Sequence, residues 1–194
     1  MSDRIFEDRE KAAEANYFRQ HDADLIKKLR EKANLDEIAL ALRDKLQVDN
    51  PDLLQKARDV GVTPGNAAAF FLAPLLQVAW AEGKVDKAEH DTVLKIARRQ
   101  GISEDSPAYA QLEAWLKERP SNEFFDTAVE VLKYSFAVLT PAEQEERTRS
   151  VVSACHEVAE ASGGLGRLLG LGDGVSKIED ATLDQVNRAL RTHR

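Results

Sequence analysis

The sequence predicts an all-α protein of about nine helices joined by short loops. Helix-start signals recur along the chain, each with a capping side chain three residues before a glutamate that can bond back to it. They stand at Asn34–Glu37, Asp86–Glu89, Thr140–Glu143 and Ser176–Glu179. Glycine and proline are sparse, 10 and 6 of 194 residues, and cluster near predicted helix ends. No segment alternates apolar and polar residues with period two, so strands are not predicted.

The N-terminal part of the chain predicts three helices. The first spans about residues 5–32, where Phe18, Leu25 and Leu29 share one face and charged residues occupy the rest. A second helix carries the apolar residues between 38 and 46. A short third helix follows Pro51, whose missing N–H costs nothing at a helix start, and Gly61 stands where a glycine cap is expected.

The most apolar segment, residues 67–81, predicts a helix at the centre of the core, because it is apolar nearly all round. Pro74 lies in its middle and should kink it or weaken one turn. Further helices are predicted at about residues 86–100, 107–118, 123–139, 141–161 and 177–192. The charged first helix, residues 1–33, is predicted to be an appendage to a helical domain of residues 34–194.

Composition excludes several classes of protein. The net charge is -7 and the pI about 5.2, which disfavours nucleic acid and anionic lipid as partners. One cysteine excludes an internal disulfide and a thiolate zinc cluster. No basic start is followed by an apolar stretch, and the longest apolar run, residues 67–76, is too short to span a bilayer. A cytoplasmic protein without a transmembrane segment is therefore expected.

Two helix-loop-helix units, about residues 63–104 and 140–192, are related in sequence. Residues 78–83, Val-Ala-Trp-Ala-Glu-Gly, return as residues 158–163, Val-Ala-Glu-Ala-Ser-Gly. Residues 85–93 return as residues 175–183, after a loop about ten residues longer. Small alanines let two helices approach closely, and the glycine ends the first helix where a positive φ favours it. The sequence therefore predicts an internal duplication.

Residues 81–89, Ala-Glu-Gly-Lys-Val-Asp-Lys-Ala-Glu, stand between two apolar helices and resemble the central signature of the TerB-like domain of tellurite-resistance proteins. The second copy, with Gly163, Val175 and Glu179, resembles the second half of that domain, so that the resemblance covers roughly residues 63–190. It implies a TerB-like helical bundle and an association with stress-response or tellurite-resistance operons. It also implies a metal-binding role for acids that here are Glu82, Asp86 and Glu89.

The residue pattern of the same segment favours a helix cap over a calcium loop. A calcium loop of the EF-hand kind needs several oxygen ligands before its glycine and a bidentate glutamate six residues after it. Here only Glu82 precedes Gly83, and Glu89 is placed to close a capping box with Asp86. A weak divalent-cation site at these three acids is the alternative hypothesis.

The N-terminal helix has a resemblance of its own. Residues 6–15, Phe-Glu-Asp-Arg-Glu-Lys-Ala-Ala-Glu-Ala, are similar to the start of the small bacterial zeta inhibitor of the rotary ATP synthase. Tyr17-Phe18-Arg19 is similar to part of the inhibitory helix of the mitochondrial ATP synthase inhibitor. The resemblance implies a regulatory protein as the alternative function. Tyr17 and Phe18 are the candidate partner-binding residues, unless they pack the helix onto the body.

No motif predicts a reaction. Cys155 and His156 are adjacent helix positions, which point about 100° apart and do not form a nucleophile–base pair, and the apolar neighbours of Cys155 predict a buried thiol. The glycine- and leucine-rich segment 163–174 lacks the lysine of a phosphate loop. Its leucines are predicted to pack on the core or, if exposed, to contact a partner or membrane. We therefore expect a non-enzymatic protein without a cofactor, acting through a protein partner or a divalent metal ion.

Overall fold

The computed structural model describes residues 20–31, 33, 34, 36, 37, 40, 48–162 and 177–191. These residues form nine helices and contain no strand, which confirms the predicted all-α class and helix number. The chain divides into two compact units, Met1–Glu37 and Ile38–Arg194. The predicted appendage, residues 1–33, falls inside the first unit.

The first unit contains helix α1, of which residues 20–31 are continuous. Ala33 and Asn34 are also helical, so the helix start predicted at Asn34 is wrong. Three large apolar side chains of α1 are about half exposed or more: Leu25 and Ile26 by 49% each and Leu29 by 59%. The helix therefore presents an apolar surface to solvent.

Among the described residues, the second unit has eight continuous helices: α2 (Pro51–Asp59), α3 (Ala67–Phe70), α4 (Ala73–Ala79), α5 (Lys87–Arg99), α6 (Pro107–Lys117), α7 (Asn122–Ala137), α8 (Pro141–Ser162) and α9 (Lys177–Arg191). The predicted bounds of α5 to α9 agree with these to within two residues. The predicted helix at 38–46 falls almost wholly outside the described residues. None of the described helices combines the length and apolar character needed to cross a bilayer.

The helix predicted over residues 67–81 is two helices, α3 and α4, with a break at Phe71 and Leu72. Pro74 causes the break, because it has no N–H to donate and its ring would clash with the carbonyl of Phe70, four residues earlier. Pro74 instead occupies the first turn of α4, where a missing N–H is tolerated.

Helix α4 lies at the centre of the second unit, as predicted, and contacts every helix from α5 to α9. Leu76, Val78 and Ala79 of α4 are completely buried. Phe70 of α3 is also fully buried, and its ring packs edge-on against Phe124 of α7 at 5.2 Å between centroids. One apolar core therefore joins the two short helices to the longer ones around them.

Several positions that correspond in the two sequence copies are buried alike, although Trp80 is partly buried where its counterpart Glu160 is exposed. Val78 and Val158 have no exposed surface, and neither have Ala79 and Ala159. Ile96 of α5 and its counterpart Val186 of α9 are 0% and 1% exposed. Helices α4 and α8 contact each other, and each contacts both α5 and α9. Gly83 has a φ of +81°, which confirms the positive φ expected of the first turn, whereas the second turn lies outside the described residues.

Candidate ligand-binding cavity

The acidic turn before α5 forms a closed capping box. The Asp86 carboxylate accepts a hydrogen bond from the backbone N–H of Glu89 at 2.8 Å, and the Glu89 carboxylate accepts one from the backbone N–H of Asp86 at 2.7 Å. Glu89 is 4% exposed, whereas Glu82 is exposed. Over the part of the chain described, no group of three or more His, Cys, Asp or Glu side chains is placed to hold a metal ion. The cap is present as predicted, and the metal site stays a prediction.

Cys155 lies in the core and is completely buried, as predicted. Burial raises the pKa of its thiol to about 12, so the nucleophilic thiolate is not formed at neutral pH. His156 is exposed and has its Nδ1 3.7 Å from the carboxylate of Glu160 on the next turn. The adjacent residues therefore occupy different environments, one apolar and one aqueous.

Two predicted sites lie outside the described residues. Tyr17 and Phe18, the candidate partner anchors, precede the first described residue. The glycine- and leucine-rich segment 163–174 falls between α8 and α9, in the undescribed stretch 163–176.

A cavity of about 450 Å³, open to solvent on one side, lies in the second unit between the helices α3 to α8 and the turn that joins α5 to α6. One wall of the cavity is apolar. It includes Phe71 and Leu72, the two residues that connect α3 to α4. Leu132 and Phe136, one turn apart on α7, form a second apolar wall. Ligand pockets in proteins typically enclose about 300–1,000 Å³ and are mostly apolar, so this cavity has their size and character.

Helix α8 provides the wall that leads from the cavity to solvent. Arg147, Ser150, Val151 and Ala154 all line the cavity, and their spacing places them on one face of the helix. Burial increases along this face: Arg147 and Ser150 are exposed, Val151 is half-buried and Ala154 is 8% exposed. The cavity therefore opens beside Arg147 and becomes apolar over about 10 Å along the helix.

The rim of the cavity carries one charge. Among the described lining residues only Arg147 is charged, and within the described part of the chain it makes no ion pair. Glu143, one turn earlier, is bonded to Thr140: its carboxylate accepts from the Thr140 backbone N–H at 2.9 Å and hydroxyl at 2.6 Å. These bonds lower the pKa of Glu143 below its ordinary value, with a smaller contribution from the charge of Arg147. Glu143 and Glu146 line a separate depression that shares Arg147 and Ser150 with the cavity.

The turn between α5 and α6 closes the remaining side of the cavity. Ile102 is 7% exposed and contributes an apolar surface. Ser106 caps α6: its hydroxyl accepts from the Tyr109 backbone N–H and donates to the carbonyl of Ser103. The Ser106 hydroxyl is therefore already hydrogen-bonded within the turn.

No protein-family model, curated protein or solved structure matches the chain.

The cavity was not predicted from the sequence. Its walls come from segments far apart in the chain, and no local pattern shows that they meet. Two sequence features are related to the cavity. Pro74 predicts an interruption of the most apolar helix. On one face of α8, Arg147 is followed by progressively more apolar residues up to Ala154. Both patterns are common in helices that only pack against a core.

Proposed function

We propose that the unit Ile38–Arg194 is a non-enzymatic binding module of TerB-like type, which acts in a cytoplasmic stress or tellurite-resistance response by holding a small apolar ligand. The observation that carries this proposal is the apolar cavity of about 450 Å³ with a polar opening beside α8. A cleft of this size that reaches from solvent to buried apolar side chains has the dimensions of a ligand-binding site.

The TerB-like part of the proposal is supported by the paired burial in the two sequence copies. Valine and alanine at the close contact of α4 with α8 are fully buried in both copies, at residues 78–79 and 158–159. The following helices, α5 and α9, each pack on this central pair. An exchange of the two copies would preserve this pattern of contacts, which is what a duplicated unit requires. Superposition of α4–α5 on α8–α9 in an experimental structure tests it.

Binding of an uncharged fluorescent probe, N-phenyl-1-naphthylamine, tests the cavity directly. We expect saturable binding to the full chain, weakened by about tenfold in Ala154→Leu because the larger side chain occupies the cavity. Ala110→Leu is the matched control, since Ala110 is exposed on α6 and does not line the cavity. Absence of saturable binding, or equal binding by Ala154→Leu in a variant with native circular dichroism, contradicts the proposal.

A second candidate function, regulation of the rotary ATP synthase by the N-terminal helix, is favoured by the exposed apolar residues of α1. Leu25, Ile26 and Leu29 are each exposed by 49% or more, as expected of a helix that binds a partner through this face. The test is inhibition of ATP hydrolysis by the full chain and by a peptide of residues 1–33. Inhibition that is lost on Leu25→Glu and Leu29→Glu supports this function, and no inhibition by either form rejects it.

The genomic neighbourhood separates the two candidates without further biochemistry. Adjacent tellurite-resistance genes favour the TerB-like module, whereas adjacent ATP synthase genes favour the regulatory helix.

A further inference from the structure

We propose that the cavity binds a fatty acid, with the acyl chain in the apolar interior and the carboxylate at Arg147. This inference rests on the proposed function, because it names the chemical class of the ligand that the cavity would hold.

The face of α8 that lines the cavity changes from polar at the opening to apolar in the interior. Arg147 and Ser150 lie at the exposed end of the cavity and Val151 and Ala154 at the buried end, all on one helix face. A ligand aligned with this face meets a cation and a hydroxyl at one end and only carbon at the other. It must therefore be amphipathic and about as long as the two helical turns that it follows, about 10 Å.

The inner walls of the cavity are lined by apolar side chains. Ala68, Phe71, Leu72 and Leu75 also follow one another at helical spacing, and Phe136 of α7 adds a further apolar side chain to the lining. These side chains offer no hydrogen-bonding group to a ligand. A hydrocarbon chain is preferred there, because each polar group buried without a partner weakens binding.

The opening of the cavity carries the positive charge of Arg147. Arg147 makes no ion pair with the described residues, and its guanidinium can bind a planar carboxylate with two parallel hydrogen bonds. Ser150, one turn further along, places a hydroxyl on the same face. The carboxylates of Glu143 and Glu146 beside Arg147 act in the opposite sense, since they attract a cation. Glu143 is already hydrogen-bonded to Thr140, which leaves Arg147 as the group that faces the cavity.

Three ligands that share a ten-carbon chain test the charge preference: decanoate, decanol and decyltrimethylammonium, each titrated calorimetrically into the full chain. We expect decanoate to bind about tenfold tighter than decanol, since a hydrogen bond to a charged group is worth about a factor of ten or more in affinity. Decanoate should also bind at least about a hundredfold tighter than hexanoate, because four fewer methylene groups are buried.

Two variants assign the preference to its residues. Arg147→Gln should lower decanoate affinity by about tenfold and leave decanol affinity unchanged. Arg149→Gln is the matched control: Arg149 is exposed on the same helix, pairs with Glu145 at 2.8 Å and does not line the cavity, so neither affinity should change. Ala154→Leu should weaken both ligands.

The failures of the two proposals are distinguishable. Equal affinities for decanoate and decanol, tighter binding of decyltrimethylammonium, or equal affinities for hexanoate and decanoate would each overturn the fatty-acid assignment. Saturable binding of the uncharged probe would still support the cavity as a binding site in that case. If none of the ligands and no uncharged probe binds, both proposals fail.

Discussion

Replacing Glu89 by alanine and by glutamine separates the capping interpretation of the acidic turn from the metal-binding one. Glu89→Ala removes the 2.7 Å hydrogen bond to the Asp86 backbone N–H and leaves that part-buried donor without its carboxylate partner. An unsatisfied buried donor costs about 1–3 kcal/mol of unfolding free energy. Glu89→Gln keeps an oxygen that can accept the same bond, so the loss should be below about 1 kcal/mol.

The exposed capping box at the start of α8 allows the same substitution to be compared at a solvent-exposed site of the same protein. Glu143 bonds Thr140 in the same arrangement, but both residues are exposed. Water replaces the lost bond there, and Glu143→Ala should cost less than about 1 kcal/mol. In a chain of 194 residues, each kcal/mol lowers the melting temperature by about 2–4 °C. Glu89→Ala should therefore melt about 2–12 °C below the parent protein, and Glu143→Ala within about 4 °C of it.

Urea unfolding followed by circular dichroism, together with calorimetric metal titration, provides the readout. We expect no binding of calcium, magnesium, manganese or zinc tighter than about 100 µM, and no change in metal response between the parent protein and Glu89→Gln. A stoichiometric metal site that disappears in Glu82→Ala or Glu89→Gln, together with an unfolding free energy that Glu89→Ala leaves unchanged, would refute the capping interpretation.

Three further predictions concern single residues of the second unit. The pKa of Glu157 is lowered, chiefly by the hydrogen bond from Arg99 at 2.8 Å, so its contribution to stability is present at neutral pH and is lost as the pH falls through the lowered pKa. Glu157→Gln should thus destabilise by less than about 1 kcal/mol at pH 7 and by nothing once the pH is below the lowered pKa of Glu157; a pH-independent difference would be inconsistent with the ion pair. The Cys155 thiol, fully buried with its pKa raised to about 12, should react with Ellman's reagent at pH 8 only on unfolding, and complete reaction of the native protein on mixing would contradict its burial. Gly83→Ala should destabilise by about 1 kcal/mol and Gly83→Asn by less, because asparagine tolerates the positive φ better; equal losses would mean that the backbone relaxes.

The local features of the fold were predictable because their causes are local. The Asp86–Glu89 and Thr140–Glu143 boxes, and the positive φ of Gly61 and Gly83, follow from side chains and backbone within one turn. The helices α5 to α9 were predicted to within two residues for the same reason.

The break at Phe71–Leu72 shows where local reasoning was incomplete. Pro74 predicted a kink or a weakened turn, and the structure has two separate helices. The proline explains why the helix is interrupted, but how the chain continues depends on α7 and α8, which contact α4 from distant parts of the sequence. Propensity is overridden by tertiary packing at such positions.

The candidate site was beyond sequence reasoning for a related physical reason. Arg147 is one of many exposed charged residues on α8, and its position is distinctive only because α3, α4 and α7 leave a space behind it. That space depends on residues from six helices together. The sequence therefore indicated where helices begin, and only the packed structure indicated a place for a ligand.

A crystal structure of the full chain with decanoate tests the central claim most directly. We expect continuous electron density for decanoate from the guanidinium of Arg147 into the space between Leu72 and Phe136. The carboxylate should lie at Arg147 and the methyl end of the acyl chain near Ala154. Density for the acid elsewhere on the surface, or a cavity closed by its own side chains with no acid bound, would contradict it.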